Sequence, residues 1–120
     1  MATNKRSIGK MGEDAVCTYL EQNGAEILCR NYTIRGGEID IIARHGAYLL
    51  FVEVKTRRPN ALASGAAAVT PAKQKLLIRA AEAYLRANPY DLQPRFDVAE
   101  VEYSGNFVHR IEYIESAFYA

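Results

Sequence analysis

Gly37-Glu38-Ile39-Asp40-Ile41-Ile42-Ala43 and Leu49-Leu50-Phe51-Val52-Glu53-Val54-Lys55-Thr56 are the two stretches that decide how this chain folds. Both are short, apolar and rich in β-branched residues, which is the composition of strands. His45-Gly46-Ala47 lies between them, so strands over 38–44 and 48–56 read as an antiparallel hairpin. Strands that enter a core rarely carry charge. Here one carries Asp40 and the other carries Glu53 and Lys55. Side chains alternate faces along a strand, so Glu53 and Lys55 share a face with Leu49 and Phe51, and Leu50, Val52 and Val54 take the other. Asp40 stands near the start of its strand, opposite the end of the next. Spacing therefore predicts that three charged groups meet at one end of the hairpin.

Two adjacent carboxylates resist joint ionisation unless a cation neutralises them. Mg²⁺ or Mn²⁺ would do so and leave positions open for water and phosphate oxygens. A lysine beside them could orient the attacking water or stabilise developing negative charge. The chemistry this suggests is phosphodiester hydrolysis, with nucleic acid as substrate. A plain ion pair at a strand end, Lys55 with Glu53 or Asp40, is the competing reading and on spacing alone the commoner arrangement.

Outward from the hairpin, Ser7 to Asn23 reads as a helix capped by Ser7 and ended by Gly24, with Ile8, Met11, Ala15, Tyr19 and Leu20 along one face. A strand over 26–33 follows, with Ile27 and Cys29 alternating against Leu28 and Arg30, and Gly36-Gly37 breaks the chain. Residues 57–69 form a long Ala-rich loop of the kind that is often functional. Thr70-Pro71 starts a second helix with a good cap and a proline at its first position. Leu77, Ala80, Ala81, Tyr84 and Leu85 form its buried stripe, and Asn88-Pro89 stops it. Strands over 95–103 and 107–113 turn through Ser104-Gly105-Asn106 as an edge hairpin. The order is αβββαββ, and a central mixed sheet flanked by helices follows from it: an α/β fold.

At 120 residues the chain fits a single domain, and 49% hydrophobic against 24% charged residues suits a core-forming globular protein. No stretch is apolar enough to span a membrane, and Met1 to Arg6 lacks the apolar run of a secretory leader. Cys17 and Cys29 form no CxxC or His-bearing cluster, which argues against zinc and fits a reducing cytoplasm. No Gly-rich nucleotide loop is present. Net charge is +1, with five basic and two acidic residues from Pro59 to Arg95, and one basic and five acidic after it. This division would allow one phosphate-facing side, although ordinary solvated helix faces explain it slightly better on charge alone.

Asp40 followed after a short hairpin by Glu53-Val54-Lys55 resembles the PD-(D/E)XK nuclease core. Gly12-Glu13, Gly37 to Ala43 and Phe51 to Arg57 together are similar to the YraN family of small bacterial proteins, which is related to archaeal Holliday-junction resolvases. Pro71-Ala72-Lys73-Gln74-Lys75 and Arg95-Phe96-Asp97-Val98 extend the likeness over most of the chain. The resemblance implies a restriction-endonuclease-like core, Asp40 and Glu53 as metal ligands, the Val54 carbonyl completing the metal sphere, and Lys55 as the catalytic lysine. It also implies that Glu13 contacts a metal through water. Locally, Glu13 reads equally well as a carboxylate favoured by the helix dipole. Ile39 stands where the motif's name has proline, a variation that removes no ligand.

Arg57 and Arg58 follow the catalytic strand and could grip a phosphate backbone. Lys73, Gln74 and Lys75 lie where the second helix offers free N–H groups to phosphate. Gln74 is the active-site neighbour by the family likeness, whereas Lys73 and Lys75 also read as surface. Arg95 and Asp97 read as a structural pair, and His45 and His109 as bland. The expected activity is metal-dependent endonucleolytic cleavage of DNA, branched or junction DNA by analogy. A homodimer would suit a two-fold symmetric substrate. A non-catalytic nucleic-acid-binding module and a hydrolase of small phosphate esters are the alternatives.

Overall fold

Seven elements follow one another: α1 (Lys5–Gln22), β1 (Glu26–Ile34), β2 (Gly37–His45), β3 (Tyr48–Arg57), α2 (Pro71–Ala87), β4 (Gln93–Ser104) and β5 (Phe107–Phe118). The computed structural model describes residues 5–59 and 69–120, so most of the 57–69 loop lies outside the described residues. The strands form one sheet in the order β1-β2-β3-β4-β5. β3 and β4 are parallel and every other pair is antiparallel. A parallel neighbour requires a crossover, and the connection that contains α2 supplies it.

The helices cover opposite faces. Leu77, Ala80, Ala81 and Tyr84 of α2 pack on Ile39, Ile42, Leu49, Phe51, Phe96 and Val98. Val16, Cys17 and Leu20 of α1 pack on Ile41, Ala43, Leu50, Val52, Ala99 and Val101. The alternation expected for β3 therefore holds: Leu49 and Phe51 face α2, and Leu50 and Val52 face α1. This is an α/β fold with a five-stranded mixed sheet between two helices, consistent with a restriction-endonuclease-like core.

Thr70 caps α2 as its chemistry predicts, accepting a hydrogen bond from the Lys73 N–H at 3.2 Å, with Pro71 in the first turn. The expectation for α1 needs two corrections. The helix is already formed at Lys5, so Ser7 lies within it and is not its cap. Its most buried positions are Gly12, Val16, Cys17 and Leu20, while Ile8, Met11, Ala15 and Tyr19 are half-buried. Gly12 is the cause of this rotated face. It packs so closely on Thr56 that a Cβ there would overlap Thr56 Oγ1.

Two strands also depart from the simple pattern. β1 carries a bulge between Ile27 and Cys29, so Leu28 and Cys29 both lie against the α2-side core. β5 continues to Phe118, well past the expected end at Tyr113, because Phe96 recovers a partner in Phe118 beyond a second irregularity.

Candidate functional site

The β2–β3 ladder runs from the pair His45 and Tyr48 to the pair Ile41 and Val52, and ends there. β2 goes on to Gly37 paired only with β1, and β3 goes on to Arg57 paired only with β4. The two strands part, and the sheet has a fork. Asp40 is the first residue of β2 beyond the fork, and Glu53 the first of β3.

Backbone geometry aims Asp40 into this gap. Ile39 belongs to the α2-side core and Ile41 to the α1-side core, although strict alternation would put both on one face. β1 shows the same slip. Asn31, between the partners of Ile39 and Ile41, takes a left-handed φ of 54°, which Asn tolerates better than most residues. The twist turns Asp40 toward β3, where Oδ2 accepts the Val54 N–H at 2.8 Å. A side chain thus replaces the ladder bond lost at the fork.

Glu53 is buried, 7% exposed, on the α2 side. Its Oε1 is 3.8 Å from Lys55 Nζ and its Oε2 is 3.8 Å from Lys73 Nζ. Both distances are too long for hydrogen bonds, and Glu53 Oε2 has no hydrogen-bond partner. Burial, and then the neighbouring Glu53 charge, push the Asp40 carboxyl up from 3.8 to about 8, against the pull of the Val54 N–H.

Glu13 acts on the same point from α1, and its charge raises Asp40 further. It lies in the third turn of α1, so the helix-dipole reading does not apply to it. Arg30 of β1 holds it at 3.4 Å and holds Asp14 at 2.8 Å. Arg6, Gly9, Lys10, Glu13, Arg30, Asn31 and Glu38 line a cleft of about 690 Å³ on this side.

The structure therefore brings together Asp40, Glu53, Val54 and Lys55, with Lys73 arriving from α2 and Glu13 from α1. Lys73, read at first as surface or phosphate-facing, sits against Glu53. Gln74 lies close by but is turned to the Val69 carbonyl at 3.0 Å. Arg57 is half-buried at the end of β3, while Arg58 and Lys75 are exposed. Arg58 lines a separate cleft of about 460 Å³ with Ile8, Pro59, Tyr103, Ser104 and Gly105.

A second buried carboxylate shows what a structural acid looks like here. Asp97 is fully buried and fully partnered. Arg95 Nε and Nη2 donate to it at 2.9–3.2 Å, Tyr113 Oη donates at 2.6 Å and the Ser116 N–H at 3.0 Å. Burial and the Asp97 charge hold the Tyr113 phenol far above its usual value, so it stays a donor. Asp97 has every partner it needs, whereas Glu53 lacks one. Sequence reading passed over Glu100, which is also buried with an unpartnered oxygen. The signal was a charged residue inside a strand, the same signal that marked Glu53.

The residues present fit a small hard cation. An orphaned buried oxygen on Glu53, an Asp40 carboxyl pushed up by burial and the Glu53 charge, and the backbone carbonyl of Val54 form an all-oxygen donor set. Among the described residues no three His, Cys, Asp or Glu side chains group to hold a metal. Water or phosphate would have to complete the sphere, as magnesium permits.

Fold and site together define an α/β protein of restriction-endonuclease-like core with a carboxylate–lysine cluster at a sheet fork. Residues 12–101 match the sequence model described as uncharacterised protein family UPF0102, and the chain belongs to this family, the YraN family. A UPF0102 protein of Geobacter sulfurreducens is 43% identical over 116 residues, covering 96% of this chain and 91% of its own. One of Symbiobacterium thermophilum is 44% identical over 116 residues, covering 96% and 98%. No helix among the described residues is long and apolar enough to cross a membrane.

Proposed function

We propose that this protein is a cytoplasmic, Mg²⁺- or Mn²⁺-dependent endonuclease that hydrolyses DNA phosphodiester bonds, with branched DNA as its preferred substrate. The observation that carries the reading is the Asp40–Glu53 pair: a half-buried and a buried carboxyl beside each other at the fork, with one Glu53 oxygen left unpartnered and two lysines 3.8 Å from that carboxylate. Packing alone does not call for that arrangement. The preference for branches rests on the resemblance to junction resolvases.

In this reading Asp40, Glu53 and the Val54 carbonyl hold the cation. When bound, such an ion polarises the phosphate and makes a water more acidic. Lys55 donates hydrogen bonds to the attacking water and to phosphate oxygens, which sets the line of attack and offsets developing charge. Lys73 stands beside the same carboxylate and neutralises a second phosphate oxygen. Glu13, held by Arg30, orients water at the edge of the site. Arg57, Arg58, Gln74 and Lys75 contact the flanking backbone, which positions DNA without reading its sequence. Two copies would match a two-fold symmetric junction.

The test is cleavage of four-way-junction, flap, single-stranded and linear duplex DNA in Mg²⁺ and in Mn²⁺, with Asp40→Ala and Lys55→Ala alongside. Cleavage by the wild type that both substitutions abolish is the expected result. Metal-dependent cutting that survives both would place the chemistry elsewhere. DNA bound but never cut would favour a binding module instead.

A further inference from the structure

Glu100 is the register partner of Lys55 in the parallel β3–β4 pair. The two side chains share the sheet face that carries Leu49, Phe51, Phe96 and Val98. Glu100 is 9% exposed, and its Oε2 is buried with no hydrogen-bond partner. On its other side stands Glu112, a like charge, which is turned to Arg110 at 3.5 Å. Among the described residues, Lys55 is the cation directly beside Glu100 across the ladder, about 5 Å away by strand spacing. Yet the Lys55 ammonium leans to Glu53, at 3.8 Å.

Lys55 therefore lies between two buried carboxylates, each with an oxygen left free. A divalent cation on Glu53 would share that carboxylate with two ammonium groups, each of which it repels. With a dication held by Glu53, the Lys55 ammonium that leans there would be repelled and favoured to move away. A long, flexible lysine stem permits the swing, and the free oxygen of Glu100 offers it a partner.

We propose that Glu100 is the positioning residue of Lys55: with a divalent cation on Glu53, the Lys55 ammonium passes to Glu100, which keeps it beside the site. The inference rests on the nuclease reading for the identity of the cation only. It assigns Glu100 no contact with substrate or metal. It also explains why a carboxylate with an unpaired oxygen is kept inside β4, where an apolar residue would pack at lower cost.

The test is a two-residue cycle read by Mn²⁺ binding in calorimetry, with no DNA present. Glu100→Gln removes the partner, so displacing Lys55 becomes harder, and Mn²⁺ affinity should fall roughly threefold to tenfold, within the range for coupled neighbours. Lys55→Ala removes the competing ammonium and should raise affinity. In the Lys55→Ala background, Glu100→Gln should change affinity by less than about twofold. Glu100→Asp, with the charge kept on a shorter stem, should recover part of the loss, and it serves as the second variant should Glu100→Gln melt early. A Glu100→Gln effect of equal size in both backgrounds would mean that Glu100 acts on the cation itself, and would overturn the proposal. So would no effect in either background, or a wild-type protein that binds no Mn²⁺. Coupling found in a protein that cuts no DNA would sink the nuclease reading and leave the Lys55–Glu100 exchange standing.

Discussion

The Val54 N–H donates to Asp40 Oδ2 at 2.8 Å, and this one bond spans the point where β2 and β3 part. The fork exists because each strand keeps its outer partner and gives up the inner one. Asp40 closes the gap with a side chain, and so is fixed beside Glu53.

That geometry makes stability depend on pH and metal. The Asp40 carboxyl is raised from 3.8 to about 8 in the folded chain. Between these values the folded state keeps a proton that the unfolded state has released. Stability should therefore fall as pH rises from about 4 to about 8, by at most about 6 kcal/mol. Thermal unfolding in EDTA should show the decline, Asp40→Asn should flatten it, and Mg²⁺ should restore most stability at the alkaline end. A flat wild-type profile would contradict the raised Asp40 carboxyl.

Gly12 holds α1 against β3, and a methyl group there has no room beside Thr56. Gly12→Ala should cost about 1–3 kcal/mol through overpacking. Adding Thr56→Ala should recover part of it, since removing Oγ1 relieves the closest contact. Urea unfolding of the two single variants and the double variant measures the coupling. Simple additivity would show that α1 has room to shift.

The Asp97 network ties β5 to β4. Asp97→Ala removes the acceptor shared by Arg95, Tyr113 and the Ser116 N–H and should cost about 3–5 kcal/mol. Tyr113→Phe removes a single hydrogen bond and should cost about 1–3 kcal/mol. Neither side chain is hydrogen-bonded to Asp40, Glu53 or Lys55 among the described residues, so Mn²⁺ affinity should stay within about twofold of wild type. Denaturation and Mn²⁺ titration of both variants check this, and a large loss of affinity in a folded Tyr113→Phe would show that β5 supports the site.

Thr70 caps the turn that carries Lys73 to Glu53. Thr70→Ala should cost about 1 kcal/mol of stability. Fraying the first turn should also free Lys73, so Mn²⁺ should bind somewhat more tightly than in wild type. A drop in affinity would mean that the Lys73 charge is not competing for Glu53.

Sequence alone determined the order of elements, the hairpin, the α2 cap and the face of Glu53 and Lys55. Each of these depends on residues a few positions apart: strand alternation, a threonine before a proline, a glycine at a turn. The αβββαββ order led directly to a mixed sheet between helices. The extra length of β5 and the rotated face of α1 were not legible, because Phe118 answers to Phe96 and Gly12 answers to Thr56. Only the tertiary structure decided that β2 and β3 part at Ile41 and Val52, that Arg30 holds Glu13, that Lys73 reaches Glu53 and that Glu100 lies beside Lys55. Those contacts join segments distant in sequence. Their register is set by how two helices and five strands pack together, which no local pattern encodes.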